Sequence, residues 1–257
     1  MNLDLAGKVA IVTGASRGIG RAIAQALAAE GMRVALAART LSELESLAAE
    51  LPMESLVAQL DLREPEAPQR LVDATLGKFG RLDALVNNAG ATKRGDFHAL
   101  TDADWKDGFE LKFFGAMRCC RAAWPHLAAA HGSIVNIAGI GGRTGTRDFT
   151  IGGAVNAAVM NLTKALADKG KSDGVRVNAI NPGAIVTDRL QRRLAQLADE
   201  RGVTIAAAES QFAAAQGIPR FGQPAEIGAF VAFLLGSPAA FSHGAIIDVD
   251  GGQTQTL

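Results

Sequence analysis

Short apolar runs rich in Val and Ile alternate along this chain with longer segments in which apolar positions recur every three or four residues. The runs fall at residues 8–13, 33–37, 55–60, 82–86, 133–138, 175–180 and 245–249. Their apolar character is continuous rather than alternating, which marks strands buried on both faces of a parallel sheet. Helical segments of ten or more residues lie between them. Strand and helix in regular alternation predict an α/β fold, a doubly wound parallel sheet of about seven strands flanked by helices on both faces.

Helix punctuation agrees with this reading. Thr101-Asp-Ala-Asp104 has the form of a capping box and opens a long segment toward Ala130, while Gly31 stands where a left-handed cap closes the first helix. No repeat, charge block or Pro-rich stretch divides the chain, so residues 1–257 read as one domain. An Ala-rich helical insertion around 188–217, before the last strand, is a candidate substrate lid.

Composition narrows the function classes. Hydrophobic residues make up 48% and charged residues 20% of the 257, enough to fill a large core and unlike a disordered chain. Lys plus Arg and Asp plus Glu are 26 each, so no net field draws nucleic acid or an anionic membrane, and neither is an expected partner. The two cysteines, Cys119 and Cys120, are adjacent and fit neither a disulfide framework nor metal-ligand spacing. A reducing, cytoplasmic location without a metal is expected. No basic segment followed by a long apolar stretch opens the chain, and no apolar run reaches the roughly 18 residues of a membrane span. Tyrosine is absent altogether.

The first strand runs into Thr13-Gly-Ala-Ser-Arg-Gly-Ile-Gly20 and then a helical pattern. Glycines there permit a tight turn and close backbone approach to a pyrophosphate at a helix N-terminus. Asp61-Leu62, Asn87-Asn-Ala-Gly90 and Asn181-Pro-Gly-Ala-Ile-Val-Thr187 follow in order after later strands. With this combination the chain resembles the short-chain dehydrogenase/reductase family over nearly its whole length, and so a Rossmann fold. The resemblance implies that Gly14, Ser16, Arg17, Ile19 and Gly20 surround the cofactor phosphates and that Asp61 and Leu62 flank adenine. It places Asn88, Ala89 and Gly90 along the ribose, and Ile185 and Thr187 at the nicotinamide carboxamide. Where an acidic residue would hold a ribose 2′-hydroxyl, the chain has Ala37-Ala-Arg-Thr40. Arg39 with Arg17 favours a 2′-phosphate, hence NADP(H) over NAD(H).

The chemical end departs from the family pattern. Members use a Tyr-x-x-x-Lys pair, a Ser about a dozen residues earlier and an Asn on the preceding helix to protonate the alkoxide that hydride transfer leaves. Here the Ser position is Gly139, the Tyr position Gly152, the Lys position Asn156 and the Asn position Lys112. The Asn and Lys types are thus exchanged, and Lys112 and Asn156 are the candidate catalytic residues. Lys112 either binds an anion or transfers a proton, with a pKa lowered by desolvation, or extends to solvent and pairs with Glu110 or Asp107. Space left by Gly152 either admits a bulkier substrate or is filled by Phe149. His98, His126, His131 and His243 each read as a surface or satisfied histidine rather than a base; His98 comes nearest to a candidate, because the resemblance puts the substrate entrance close by.

Three functions fit: an NADP(H)-dependent oxidoreductase on a carbonyl/hydroxyl pair with a non-standard proton donor, a lyase, hydratase or isomerase on the same fold, or a non-catalytic NADP(H)-binding protein. The expected substrate is a small molecule, with a mild preference for an anion from Lys112, Arg143 and Arg147. Family resemblance implies a homotetramer or homodimer built partly through residues 241–257.

Overall fold

Strand runs of the sequence become a single parallel sheet in the computed structural model, which describes residues 1–255. The strands are β1 (Val9–Thr13), β2 (Arg33–Ala38), β3 (Ser55–Gln59), β4 (Ala84–Asn87), β5 (Ser133–Ile137), β6 (Arg176–Pro182) and β7 (Ile246–Val249). They lie in the order β3-β2-β1-β4-β5-β6-β7. All pairings are parallel, with Ala10 opposite Val34 on one side and Ala84 on the other. Every residue of β1 and of β5 is buried, as continuous apolar runs require.

Nine α-helices occur among the described residues: α1 (Gly18–Ala29), α2 (Leu41–Glu50), α3 (Ala67–Phe79), α4 (Asp102–Phe109), α5 (Gly115–Ala129), α6 (Thr150–Asp173), α7 (Asp188–Arg201), α8 (Ile205–Ala215) and α9 (Pro224–Leu235). One core cluster joins Ile23 and Leu27 of α1 and Ile227 and Val231 of α9 to Val12 and Val34 of the sheet. The second joins Leu71 of α3, Leu127 of α5 and Ala167 of α6 to Ile11 and Ile134. The sheet is therefore covered on both faces. Strand order reverses between β1 and β4, which opens a crevice at their carboxyl ends.

The capping box holds: Thr101 Oγ1 accepts from Asp104 N, and the Asp104 carboxylate accepts from Thr101 N. Gly31 is left-handed at φ +82° just past α1. The segment toward Ala130 runs helical from Asp102 to Ala129, with a π-helical turn over Glu110–Phe114 joining α4 to α5. Two expectations shift. Strand β4 begins at Ala84 rather than at residue 82, since the Asp83 carboxylate accepts from Val9 N at 2.9 Å. The insertion is two helices, α7 and α8, divided by Gly202 at φ +62°. Of the expected interface segment 241–257, Thr256 and Leu257 lie outside the described residues.

Helices α1 and α9 meet where Gly228 faces Ala22: a Cβ at Gly228 would lie 2.6 Å from Ala22 O. Gly228→Ala must push the helices apart, at a cost of about 1–3 kcal/mol. Urea unfolding measures this, and unchanged stability would show that the helices are free to separate.

Candidate active site

At the crevice, Gly14 and Gly18 take positive φ of +66° and +56° to turn the chain from β1 into α1. A Cβ at Gly20 would stand 2.1 Å from Gly14 O, so only glycine lets α1 sit directly on the turn. The head of α1 has an extended N-cap at Arg17, no side-chain cap and no acidic residue in its first turn. Its first N–H groups are thus left for an anion. Ser16 and Ile19 are half-buried beside it, and Arg17 is exposed. A dinucleotide diphosphate fits this donor set.

The end of β4 is tied to the same turn. Asn88 Nδ2 donates to Thr13 O and Gly14 O at 3.0 and 3.1 Å, while Thr13 Oγ1 accepts from the N–H groups of Asn88 and Ala89. Asn88 therefore spends its amide on clasping two strand ends. Asp61 accepts from Arg63 N and lies 3.9 Å from the exposed Arg39 at the end of β2. Leu62 is buried against Gly115. Ile185 is buried and Thr187 caps α7, accepting from Leu190 N. Val186 N donates to Gly222 O at 2.8 Å, closing the stem from which α7 and α8 project.

Lys112, carried by the π-helical turn, crosses the middle of the crevice. Its Nζ donates to Ala138 O at 2.6 Å and to Asn156 Oδ1 at 2.5 Å. Its stem lies over Gly90, where a Cβ would come within 2.8 Å of Lys112 Cδ. The structure thus brings together the two residues, Lys112 and Asn156, that the sequence singled out. Lys112 is half-buried and does not pair with Glu110 or Asp107: Glu110 binds Arg118 and Asp107 binds Arg63. Burial, assisted by the nearby Arg189 charge, brings the Lys112 pKa down from 10.5 to about 7.

The space beside Gly152 is occupied. A Cβ on Gly152 would stand 2.0 Å from Phe149 Cζ, and one on Gly141 2.9 Å from the same ring. The Arg94 guanidinium covers the ring, 3.9 Å from its centre. Gly139, at φ +145°, holds a backbone conformation that a side chain rarely adopts, and a Cβ there would meet Asn156 Nδ2 at 2.9 Å. A cavity of about 430 Å³ is lined by Ile140, Thr144 and Thr146 from the loop after β5 and by Gln216 and Gln253.

Other candidates fall away. His243 accepts from Val177 N and contacts Ala167 O, both backbone groups. His98 is exposed on a short 3₁₀ turn against Phe97. The buried Cys120 thiol is pushed up to about 12 by desolvation, so it supplies no thiolate. Arg143 is neutralised by Asp248 at 2.9 Å and is not a free cation, and Arg147 lies in an exposed turn. The cations that do converge are Arg94, Arg189 and Arg193, which the pattern did not single out. Three arginines within five residues of α7, two of them four apart and so on one face, were the available signal.

A family model described as enoyl-(acyl carrier protein) reductase matches residues 14–254. Meso-2,3-butanediol dehydrogenase of Serratia marcescens is 33% identical over 96% of this chain and 94% of its own length. L-fucose dehydrogenase of Oryctolagus cuniculus is 38% identical over 96% and 85%. The chain belongs to the short-chain dehydrogenase/reductase family. Among solved structures, L-sorbose reductase of Gluconobacter frateurii, complexed with NADPH and L-sorbose, superposes with a TM-score of 0.95 at 33% identity and full coverage of both chains. A 7α-hydroxysteroid dehydrogenase complexed with NADH and a 7-oxo bile acid gives 0.89 at 29% identity, over 100% of this chain and 98% of that one. Within this cleft the Phe149 ring stands in the space beside Gly152.

Two outcomes follow for the short-chain dehydrogenase/reductase cleft described here. Gly152→Ala forces Phe149 out and destabilises the protein, whereas the same change beside Phe149→Ala meets no ring. A double-mutant cycle should show coupling of about 1 kcal/mol or more, and additivity would refute the packing. Between pH 7 and 10.5 the unfolded chain protonates Lys112 while the folded chain does not, so this group's contribution rises with pH across that window and its deficit is full below it. Lys112→Met should therefore gain stability relative to the parent on lowering pH from about 10 to about 6. Thermal unfolding across that range tests it, and a constant difference would sink the assignment.

Proposed function

We propose that this protein is an NADP(H)-dependent oxidoreductase acting on the carbonyl/hydroxyl pair of a small molecule, with the Lys112 amine as the group that moves the proton. The observation that carries this reading is the Lys112 ammonium, desolvated and held by Ala138 O and Asn156 Oδ1 in the crevice between the β1 and β4 ends. A bound nicotinamide supplies or accepts a hydride at the substrate carbon.

In the reduction direction, protonated Lys112 has a third N–H beyond the two given to Ala138 and Asn156, and it donates that proton to the substrate oxygen. In the oxidation direction the neutral amine keeps the same two hydrogen bonds and accepts the alcohol proton on its lone pair. Asn156 is a positioning residue that aims the amine. A pKa near 7 suits both directions at neutral pH.

Gly14, Ser16, Arg17, Ile19 and Gly20 hold the diphosphate at the head of α1 in this reading. Asp61 and Leu62 border adenine, Asn88, Ala89 and Gly90 the ribose side, and Ile185 and Thr187 the carboxamide. Arg39 and Arg17, with no acidic residue at the end of β2, favour the 2′-phosphate. The NADPH bound to L-sorbose reductase supports a nicotinamide, and the NADH of the hydroxysteroid dehydrogenase leaves the phosphate preference to Arg39. Residues 1–257 act as one domain, with α7 and α8 as the lid.

Titration calorimetry should find NADP(H) binding tighter than NAD(H), and a panel of ketones and secondary alcohols should consume it. Reduction should slow, and oxidation accelerate, as pH rises through about 7, because they need the charged and neutral amine respectively. Lys112→Met should lower kcat by roughly 100-fold or more and abolish that limb. A variant with the parental rate and pH profile would remove Lys112 from the mechanism.

A further inference from the structure

Three arginines from two sides of the cleft converge above Lys112. Arg94 lies on the loop after β4, and Arg189 and Arg193 lie one helical turn apart on α7. Arg189 Nη2 donates to Gly90 O at 2.8 Å, the same glycine over which the Lys112 stem passes. Arg94 Nη1 is 2.9 Å and Arg193 Nη2 3.8 Å from one oxygen of Asp148, so α7 is pinned across the cleft to both loops. Asp148 is the only carboxylate within ion-pair distance of these three among the described residues, and Arg189 has none.

The arrangement is electrostatically unfavourable by itself. Burial first, and then the charges of Arg193 and Arg189, depress the Arg94 pKa; burial and then Arg17 and Arg192 depress that of Arg189, and burial and then Arg189 that of Lys112. Freely solvated arginines would swing apart. These instead are held by a backbone carbonyl, by Asp148, by the Phe149 face and, for Arg193, by the Phe212 ring 4.8 Å away. Arg94 and Arg193 still present 39% and 37% of their side chains to solvent, so the cluster lines an accessible cleft. Fixed guanidinium forks with surplus positive charge suit an oxyanion.

We propose that Arg94, Arg189 and Arg193 form a subsite for an anionic group, a carboxylate or its equivalent, on the substrate, so that the substrate class is a hydroxy or oxo acid. This rests on the cleft being the substrate site of the oxidoreductase described above. Helix α7 supplies two of the three cations, so an anion bound there adds to the contacts that already pin this helix across the cleft.

Benzoate and benzamide share a shape and differ in charge, so calorimetry with this pair, on protein with and without saturating NADP⁺, tests the subsite. Benzoate should bind NADP⁺-loaded protein at least about tenfold more tightly than benzamide, and Arg189→Gln and Arg193→Gln should each weaken it by about tenfold. Arg189→Lys should restore part of the loss, which separates charge from damage to the lid. Equal binding of the two probes, or parental benzoate binding by Arg189→Gln, would overturn the proposal. So would mutual exclusion of benzoate and NADP⁺, which would assign the arginines to the nucleotide diphosphate. If no nucleotide binds, the oxidoreductase reading fails by itself, and the two probes on nucleotide-free protein still decide the subsite.

Discussion

The 2.6 Å hydrogen bond from Lys112 Nζ to Ala138 O joins a helical turn on one side of the cleft to the end of β5, and the rest of the site is arranged around it. An ammonium in a low-dielectric interior is costly unless its protons are used, and two carbonyl-type oxygens use them here. The chain makes room for this by withholding side chains. Gly90 admits the Lys112 stem, Gly139 admits the Asn156 amide, and Gly141 and Gly152 admit the Phe149 ring. A methyl group at any of the four would collide with one of these three residues. Lys112, Asn156, Phe149 and the four glycines around them are therefore one packing solution.

Ala138 can only aim its carbonyl if the end of β5 is rigid. Ala138 N donates to Ile180 O, and Gly139 N to Asn181 Oδ1 at 3.2 Å. Asn181 Nδ2 in turn donates to Asp248 of β7, which also receives Arg143 from the following loop. Asn87, Asn136 and Thr163 form a second buried chain across β4, β5 and α6. Such networks cost desolvation, which pairing offsets except at the Asn87 Oδ1, buried without a partner, and they select one register of the strand ends over alternatives.

Most of the scaffold was legible from the chain, because a parallel strand covered on both faces leaves a continuous apolar run such as Val9–Thr13, and Thr101 with Asp104 spells out a cap in four residues. Strand ends were displaced where a side chain took over a ladder hydrogen bond, as Asp83 does for Val9. The π-helical turn left no trace, since a one-residue insertion hardly alters a helical pattern over the segment that contains it. At the site, Lys112 and Asn156 were singled out through the family resemblance, and the structure pairs them. The arginine cluster was not, because Arg94 and Arg193 lie 99 positions apart and meet only through Asp148. Arg143 misled for the converse reason: its carboxylate, Asp248, comes from another strand 105 positions on.

Lys112 and the arginines share one electrostatic field. Desolvation lowers the Lys112 pKa first, and the Arg189 charge lowers it further. Any negative group that settles against Arg189 cancels the second cause and adds an attraction of its own, so its effect on Lys112 is upward. By linkage the converse holds: protonating Lys112 tightens the hold on that negative group. A reductase needs its proton donor charged when the oxo form is present, and an oxidised product with its anion in place leaves the amine in the state from which the reverse reaction starts. The placement of surplus cations next to a single desolvated amine thus couples binding to proton affinity through distance alone, with no conformational change in the sheet.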